Sequence, residues 1–208
     1  MATRPNVRVV PGLALPFFPM RPATGRLAST PDAAVELWHE SLSAGDTLQP
    51  KLNGDRGCVA CVPLDQLSVS DRTFFRPQVV GDLAVLCQNR HGGRFSHRVD
   101  NLALFAAANS CWDGEIWQSN FYPFEALAVR DTSFLRQGPE ERARAAQKYC
   151  RQRGLPWIFD EPDEKFFRSC AENLPIWEGV VQKKKGSPYV ACNSVSVVSE
   201  TWWKHRWK

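Results

Sequence analysis

The residues best placed by type and spacing to do chemistry are Lys51, Gly54 and Arg56, within the stretch QPKLNGDRG. A lysine amine can attack the phosphorus of a nucleotide when it is deprotonated and close, and neighbouring cations lower its pKa towards that state. A glycine just after it lets the backbone turn sharply beside a ligand, and an arginine offers a planar fork to sugar hydroxyls or phosphate oxygens. Taken alone, the same pattern also describes an ordinary polar hairpin. Phosphoryl chemistry gathers negative charge that must be met by Mg²⁺ and fixed cations. Further along the chain, Asp113, Glu115 and Glu178 supply carboxylates on strand-like segments, and Lys183, Lys204 and Arg206 supply cations. Asp113 and Glu115 fall two apart, as do Lys204 and Arg206, so each pair shares one face of a strand.

What separates this pattern from chance is the order of five later segments: NRHGG at 89–93, DGEIW at 113–117, FEAL at 124–127, EGVVQK at 178–183 and WWKHR at 202–206. The ordered set resembles the covalent nucleotidyltransferases, the superfamily of ATP-dependent DNA ligases, RNA ligases and mRNA capping guanylyltransferases, over nearly the whole chain. Gln49-Pro50 before the lysine, NRHGG after it, Glu178-Gly-Val-Val, Ser187-Pro-Tyr and the late Trp-Trp-Lys look most like the adenylation domain of small phage or bacterial ATP-dependent DNA ligases.

The resemblance implies an ATP-grasp-like adenylation fold, with ATP and Mg²⁺ as cofactors and nicked duplex DNA (or RNA) as partner. Lys51 is the implied nucleophile, and Lys183, Lys204 and Arg206 grip the α-phosphate. Arg56 faces the sugar, Glu115 binds ribose or helps hold metal, and Asp113 and Glu178 complete the metal carboxylates. Phe124 stacks on the base, the Gln49 amide oxygen accepts from the adenine amino group, and Arg90 receives the 5′-phosphate of the nick. His91, His97 and His205 receive no role. The sequence departs from the family at Asn53, where aspartate is usual, and at Arg206, where lysine is common. An RNA ligase or a capping-type guanylyltransferase is the alternative; the Glu178-Gly179 pair ranks capping lower, since capping enzymes usually carry Asp-Gly there. A degenerate, non-catalytic nucleic-acid binder is the third reading.

The elements that must position these residues read as α+β, mostly antiparallel sheets with helices on their outer faces. Residues 1–29, rich in Pro and Arg, read as an extended lead-in. Ser29, Thr30 and Pro31 supply an N-cap and a first-turn proline for a helix carrying Val35, Leu37, Trp38 and Leu42. TLQPKL and GCVACVPL read as paired strands turned by NGDRG, GDLAVLCQ as a strand, and VDNLALFAAAN as a helix. WDGEIWQS and FYPFEALAV read as neighbouring strands, the first half-buried by its alternation. PEERARAAQKYCRQRG has a proline start, acids in its first turn and bases in its last, the signature of a helix. DEKFFRSCAENL reads as a shorter helix, and IWEGVVQKK and VSVVSETWWKHRW as closing strands.

The totals bound what remains. A chain of 208 residues predicts one domain over 1–208, and the resemblance adds that no oligonucleotide-binding barrel follows it in this chain, so a partner supplying one is conceivable. The net charge of +4, with bases gathered in RFSHR, QKKKG and WWKHRWK, points to an anionic partner. Seven scattered cysteines suit reduced thiols in a cytoplasmic monomer, and Cys58 and Cys61 would point to opposite faces of a strand rather than share a metal. The apolar stretch GLALPFFPM is cut by prolines and too short to cross a membrane.

Overall fold

The computed structural model describes residues 5–170, 172, 175–192, 194 and 197–208. Two sheets face each other. Three strands open the chain: β1 (Val7–Val10), β2 (Leu13–Leu15) and β3 (Arg21–Leu27). Helix α1 (Pro31–Ala44) follows, started by Thr30, whose hydroxyl accepts from the Ala33 amide. Strand β4 (Thr47–Leu52) leads into β5 (Asp55–Pro63), then helix α2 (Val69–Phe75) and strands β6 (Gln78–Val80) and β7 (Leu83–Asn89). After these come β8 (Ser110–Trp117), β9 (Asn120–Val129), β10 (Thr132–Ser133), α3 (Pro139–Arg153), α4 (Glu164–Arg168), β11 (Trp177–Lys183) and β12 (Val198–Arg206).

The first sheet runs β10-β9-β8-β5-β7-β6, all antiparallel. The second runs β3-β12-β11-β4, with β3 and β12 parallel. Between their inner faces lies an apolar core holding Cys58, Ala60, Leu86, Cys111 and Leu127 from the first sheet and Leu52 and Trp202 from the second. Behind the first sheet, Val59, Cys61, Trp112 and Ala126 pack on Phe105 and on Ala146 and Tyr149 of α3. Behind the second, Leu48, Val180 and Trp207 pack on α1 and on Phe167 of α4. Cys58 and Cys61 do divide between the two faces of β5, and all seven cysteines are buried.

Several expectations are corrected. The strands β4 and β5 are not a hairpin: β4 pairs with β11, β5 pairs with β7 and β8, and residues 53–54 carry the chain from one sheet to the other. The lead-in is not merely extended; β1 and β2 form a hairpin whose Val7, Val9, Leu13 and Leu15 cover the inter-sheet core, and β3 joins the second sheet. Strand β8 is buried on both faces rather than one, acids included. The helix expected over 99–109 is only a short 3-10 turn at Leu102–Phe105, because the Asn101 side chain is used as a backbone mimic, accepting from Phe121 N (2.8 Å) and donating to Phe121 O (3.0 Å). Helix α2, which the sequence reading missed, starts on a reciprocal Ser68–Asp71 cap. The helix read over 163–174 is confined to α4, and its residues 171, 173 and 174 lie outside those described, as do residues 1–4 of the lead-in and 195–196 of the last strand.

Candidate active site

Three adjacent strands line up the catalytic candidates. Across the second sheet, Lys51 on β4 stands opposite Gly179 on β11, which stands opposite Arg206 on β12. The next row on the same face is Gln49, Val181 and Lys204, and the next is Thr47, Lys183 and Trp202. Gly179 has φ +154°, and a Cβ there would lie 1.9 Å from the His205 carbonyl oxygen. Any side chain at that position would push β12 away from β11 and separate Lys51 from Arg206. On the other face of β12, His205 pins the strand: its Nδ1 accepts from Arg26 N (3.1 Å), which leaves Nε2 to donate to Gln182 Oε1 (2.9 Å). Burial holds this ring neutral by lowering its pKa to about 4.

From the first sheet come Arg56 on β5, Asp113 and Glu115 on β8, and Phe124 and Glu125 on β9, with Arg56 opposite Glu115 and Asp113 opposite Glu125. The crossover is tight: a Cβ on Gly54 would lie 2.6 Å from the Ile116 carbonyl oxygen and 2.9 Å from Glu115 Cγ. Glycine at this position therefore lets the loop after Lys51 lie directly against β8 and brings Glu115 towards the lysine.

Lys51 Nζ donates to Glu178 Oε1, and the other oxygen of Glu178 lies 3.7 Å from Arg206 Nε. Both side chains of the Lys51–Glu178 pair keep some access to solvent, at 20% and 26%. Burial lowers the Lys51 ammonium from 10.5 to about 8; the Glu115 charge opposes this, and Arg206, Lys204 and Arg56 add to it. Glu115 moves the other way, raised by burial to about 7 against the pull of Lys51 and Arg56. Lys204 has no hydrogen-bond or ion-pair partner for its ammonium among the described residues, and burial with Arg206, Arg21 and Arg90 lowers its pKa. These bases form an open cationic face beside the amine. Arg90 reaches it from the NRHGG loop, where Asn89 Oδ1 accepts from His91 N (2.9 Å) and Gly93 N (3.0 Å), and Arg90 N donates to Arg56 O (3.1 Å).

Four expected site residues are committed to protein partners. Asp113 is fully buried; Arg56 donates to both its oxygens (3.1 and 2.5 Å) and the Tyr189 hydroxyl donates to it at 2.7 Å. Arg56 also donates to the Met20 carbonyl, and its guanidinium lies 5.5 Å from the Phe124 ring centre. Lys183 is 2% exposed, with Nζ donating to Glu125 (2.5 Å) and Gln49 Oε1 (2.6 Å). Gln49 Nε2 donates to Phe124 O at 3.3 Å. A lysine only donates and a carbonyl only accepts, so the amide orientation of Gln49 is fixed, and its oxygen already serves Lys183.

Sequence reasoning missed the centre of this buried network. Glu125 is fully buried between Lys183 and Arg142, whose Nε donates to it at 2.6 Å, and Arg142 Nη1 also reaches the carbonyls of Gln137 and Ser187. A glutamate within the otherwise apolar run FYPFEALAV was the available signal. Phe124 lies in the inter-sheet core, edge-on to Phe159 at 5.7 Å.

The three carboxylates do not form one metal cluster; among the described residues no group of three His, Cys, Asp or Glu is placed to hold an ion. Asp113 is withdrawn from the expected set by Arg56 and Tyr189. Glu115 and Glu178, which flank Lys51, fit the mode in which Mg²⁺ takes one or two protein carboxylates and completes its shell with phosphate oxygens and water.

No family model matches the chain, and no curated protein matches it by sequence. Solved structures do. Mycobacterial DNA ligase D, in a structure complexed with ATP and MES, is similar at a TM-score of 0.59 and 16% identity, over 91% of this chain and 60% of that one. The ligase domain of LigD from M. tuberculosis is similar at a TM-score of 0.60 and 17% identity, over 91% and 59%. The chain thus spans about 60% of the length of the chains it matches. What is shared is the fold: over 91% of its length this chain has the fold of the mycobacterial LigD ligase domain.

Proposed function

We propose that this chain is the adenylating unit of an ATP-dependent polynucleotide ligase acting on nicked duplex DNA. The observation that carries the reading is Lys51, an accessible amine lowered to about 8 and seated among cations on a scaffold shared with a DNA ligase domain. In the first step Lys51 Nζ, as the free amine, forms a bond to the α-phosphorus of ATP, and pyrophosphate leaves with the electron pair of the bond that breaks. With Lys51 at about 8 and Glu115 at about 7, the proton leaves the amine at small cost near neutral pH. In this reading Lys204 and Arg206 meet the charge that develops on the α-phosphate, and fixed cations of this kind lower the barrier because they need no reorganisation.

Magnesium, when bound, neutralises polyphosphate charge; Glu178 and Glu115 are the residues that would hold it. The lysyl-bound AMP is then transferred to a 5′-phosphate, for which Arg90 is the contact. A 3′-hydroxyl displaces AMP and closes the phosphodiester bond. In this reading Gln49 contributes an amide N–H or its outline to the base pocket, not the free amide oxygen that the resemblance implied, because Lys183 occupies that oxygen.

The test is incubation with ATP labelled at the α-phosphate, beside GTP labelled in the same way. ATP should leave a covalent label on the protein that Lys51→Ala abolishes. A wild-type chain that stays unlabelled with both nucleotides would sink the proposal, and labelling from GTP alone would move it to capping chemistry. Sealing of nicked DNA compared with nicked RNA then assigns the strand.

A further inference from the structure

A cavity away from Lys51 carries a second cluster of bases. It measures about 730 Å³ and opens between α3 and the β9–β10 turn. Its rim carries Arg130, Thr132, Lys148, Gln152 and Arg153, and Tyr149 forms its floor. Phe134 and Ala145 add apolar wall. The volume lies within the roughly 300–1,000 Å³ typical of small-molecule sites.

Charge distinguishes it from a cavity of about 360 Å³ beside Gln49, whose lining mixes Asp46, Glu140, Asp160 and Glu161 with Arg144 and Lys185. The large cavity has three cations and no carboxylate in its lining. Two of its parts are held in place: the Tyr149 hydroxyl donates to Leu104 O at 2.9 Å, and Arg153 donates to Ala106 O at 3.2 Å with its guanidinium 5.6 Å from the Tyr149 ring centre. Arg130 and Lys148 are different. Their side chains find no hydrogen-bond or ion-pair partner among the described residues. Two exposed cations facing one cavity repel each other and leave donors free, an arrangement that an anion relieves. The helix face is coherent as well, since Ala145, Lys148, Tyr149 and Gln152 fall at the spacing of one side of α3.

The cavity lies across the first sheet from the Lys51 cleft: Tyr149 belongs to the core behind that sheet, whereas Phe124 and Leu52 belong to the core between the sheets. It shares no lining residue with the Lys51 constellation. We propose that it is a second anion site, taking a small phosphorylated ligand, either a polyphosphate or the phosphate tail of a nucleotide. The site stands independently of the adenylation reading.

The probe is inorganic tripolyphosphate, titrated into the isotope-labelled full chain and followed through backbone amide NMR signals. Saturable shifts are expected at residues 130–132 and 148–153. In Arg130→Ala/Lys148→Ala the apparent affinity at those signals should fall roughly tenfold or more for each lost charged hydrogen bond. Both positions are exposed, so the double variant should keep its melting temperature and its labelling at Lys51. Lys148→Gln alone gives an intermediate loss. Shifts confined to the Lys51 face would overturn the site, as would shifts that survive the double variant. Shifts produced by a short DNA duplex but not by tripolyphosphate would overturn its assignment to a small ligand.

Discussion

Lys51 and Lys183 sit on neighbouring strands of one sheet, on the same face, and burial lowers both from 10.5 to about 8. Each pairs with a glutamate. Their roles nonetheless separate. Lys51 is 20% accessible, and its partner Glu178 is shared with Arg206 at an open edge. Lys183 is 2% accessible and lies between Glu125 and Gln49, with the Trp202 ring centre 4.2 Å from its nitrogen. A lowered pKa therefore does not by itself mark a nucleophile. Access, and a partner that can exchange for a phosphate, decide between a reacting amine and a structural one.

The largest effects should fall on opposite sides of this comparison. Lys51→Arg should remove adduct formation altogether, because a guanidinium does not deprotonate near neutral pH, while the melting temperature stays within a few degrees of wild type. Glu125→Ala should do the reverse and strike the fold first. It leaves Lys183 and Arg142 buried without their shared carboxylate, a loss of about 3–5 kcal/mol, which lowers the melting temperature by roughly 10 °C. Thermal unfolding of the two variants checks the pair. A stable Glu125→Ala chain would mean that the buried network is not what supports the inner faces of the sheets.

Next comes the cationic face. Lys204→Ala should slow formation of the adduct roughly a hundredfold, the order expected for losing one fixed donor at a developing charge. It should also move the pH dependence. The reacting form is the free amine, so the single-turnover rate should rise about tenfold per pH unit below pH 8 and level off above it. Because Lys204 helps lower Lys51, its removal should carry that inflection upwards. An inflection that stays at the same pH in Lys204→Ala would place the lowering of Lys51 in burial and the two arginines, not in Lys204.

How much of this was legible in the sequence depends on the range over which each signal acts. The ends of α1 and α3 were readable because caps and prolines act locally, and β5, β7 and β9 because their apolar runs are long. The separation of β4 from β5 was not. A polar turn with a glycine looks the same whether the chain folds back on itself or crosses to another sheet, and the pairing of β4 with β11 and of β5 with β7 and β8, distant in sequence, distinguishes the two. Lys51, Lys204 and Arg206 were found through motif order, and the structure brings them together. Asp113 and Lys183 have the right type and position but are taken by Arg56 and Glu125, and partners distant in sequence leave no local trace. Glu125 itself was overlooked because a charge inside a strand reads as a solvent-facing position, whereas here β9 is covered on both faces.

The smallest effect concerns Asn53, exposed just beyond the end of β4, with its backbone N–H donating to Ile176 O at 2.9 Å. Replacing it with aspartate adds a carboxylate two residues from Lys51 without disturbing that backbone bond. A nearby negative charge favours the ammonium over the amine, so the inflection of the adduct-forming rate should rise above pH 8. The change should be modest, by less than about one pH unit, because the site is exposed and water screens the added charge. At pH 7 the rate should accordingly fall a few-fold, and above pH 9 the variant and the wild type should converge. A rate that increases at every pH would show instead that a carboxylate at this position acts on the reacting amine directly, by accepting its proton or orienting it. The asparagine would then be a handicap of this chain, rather than a means of keeping Lys51 neutral where Lys183 is kept buried.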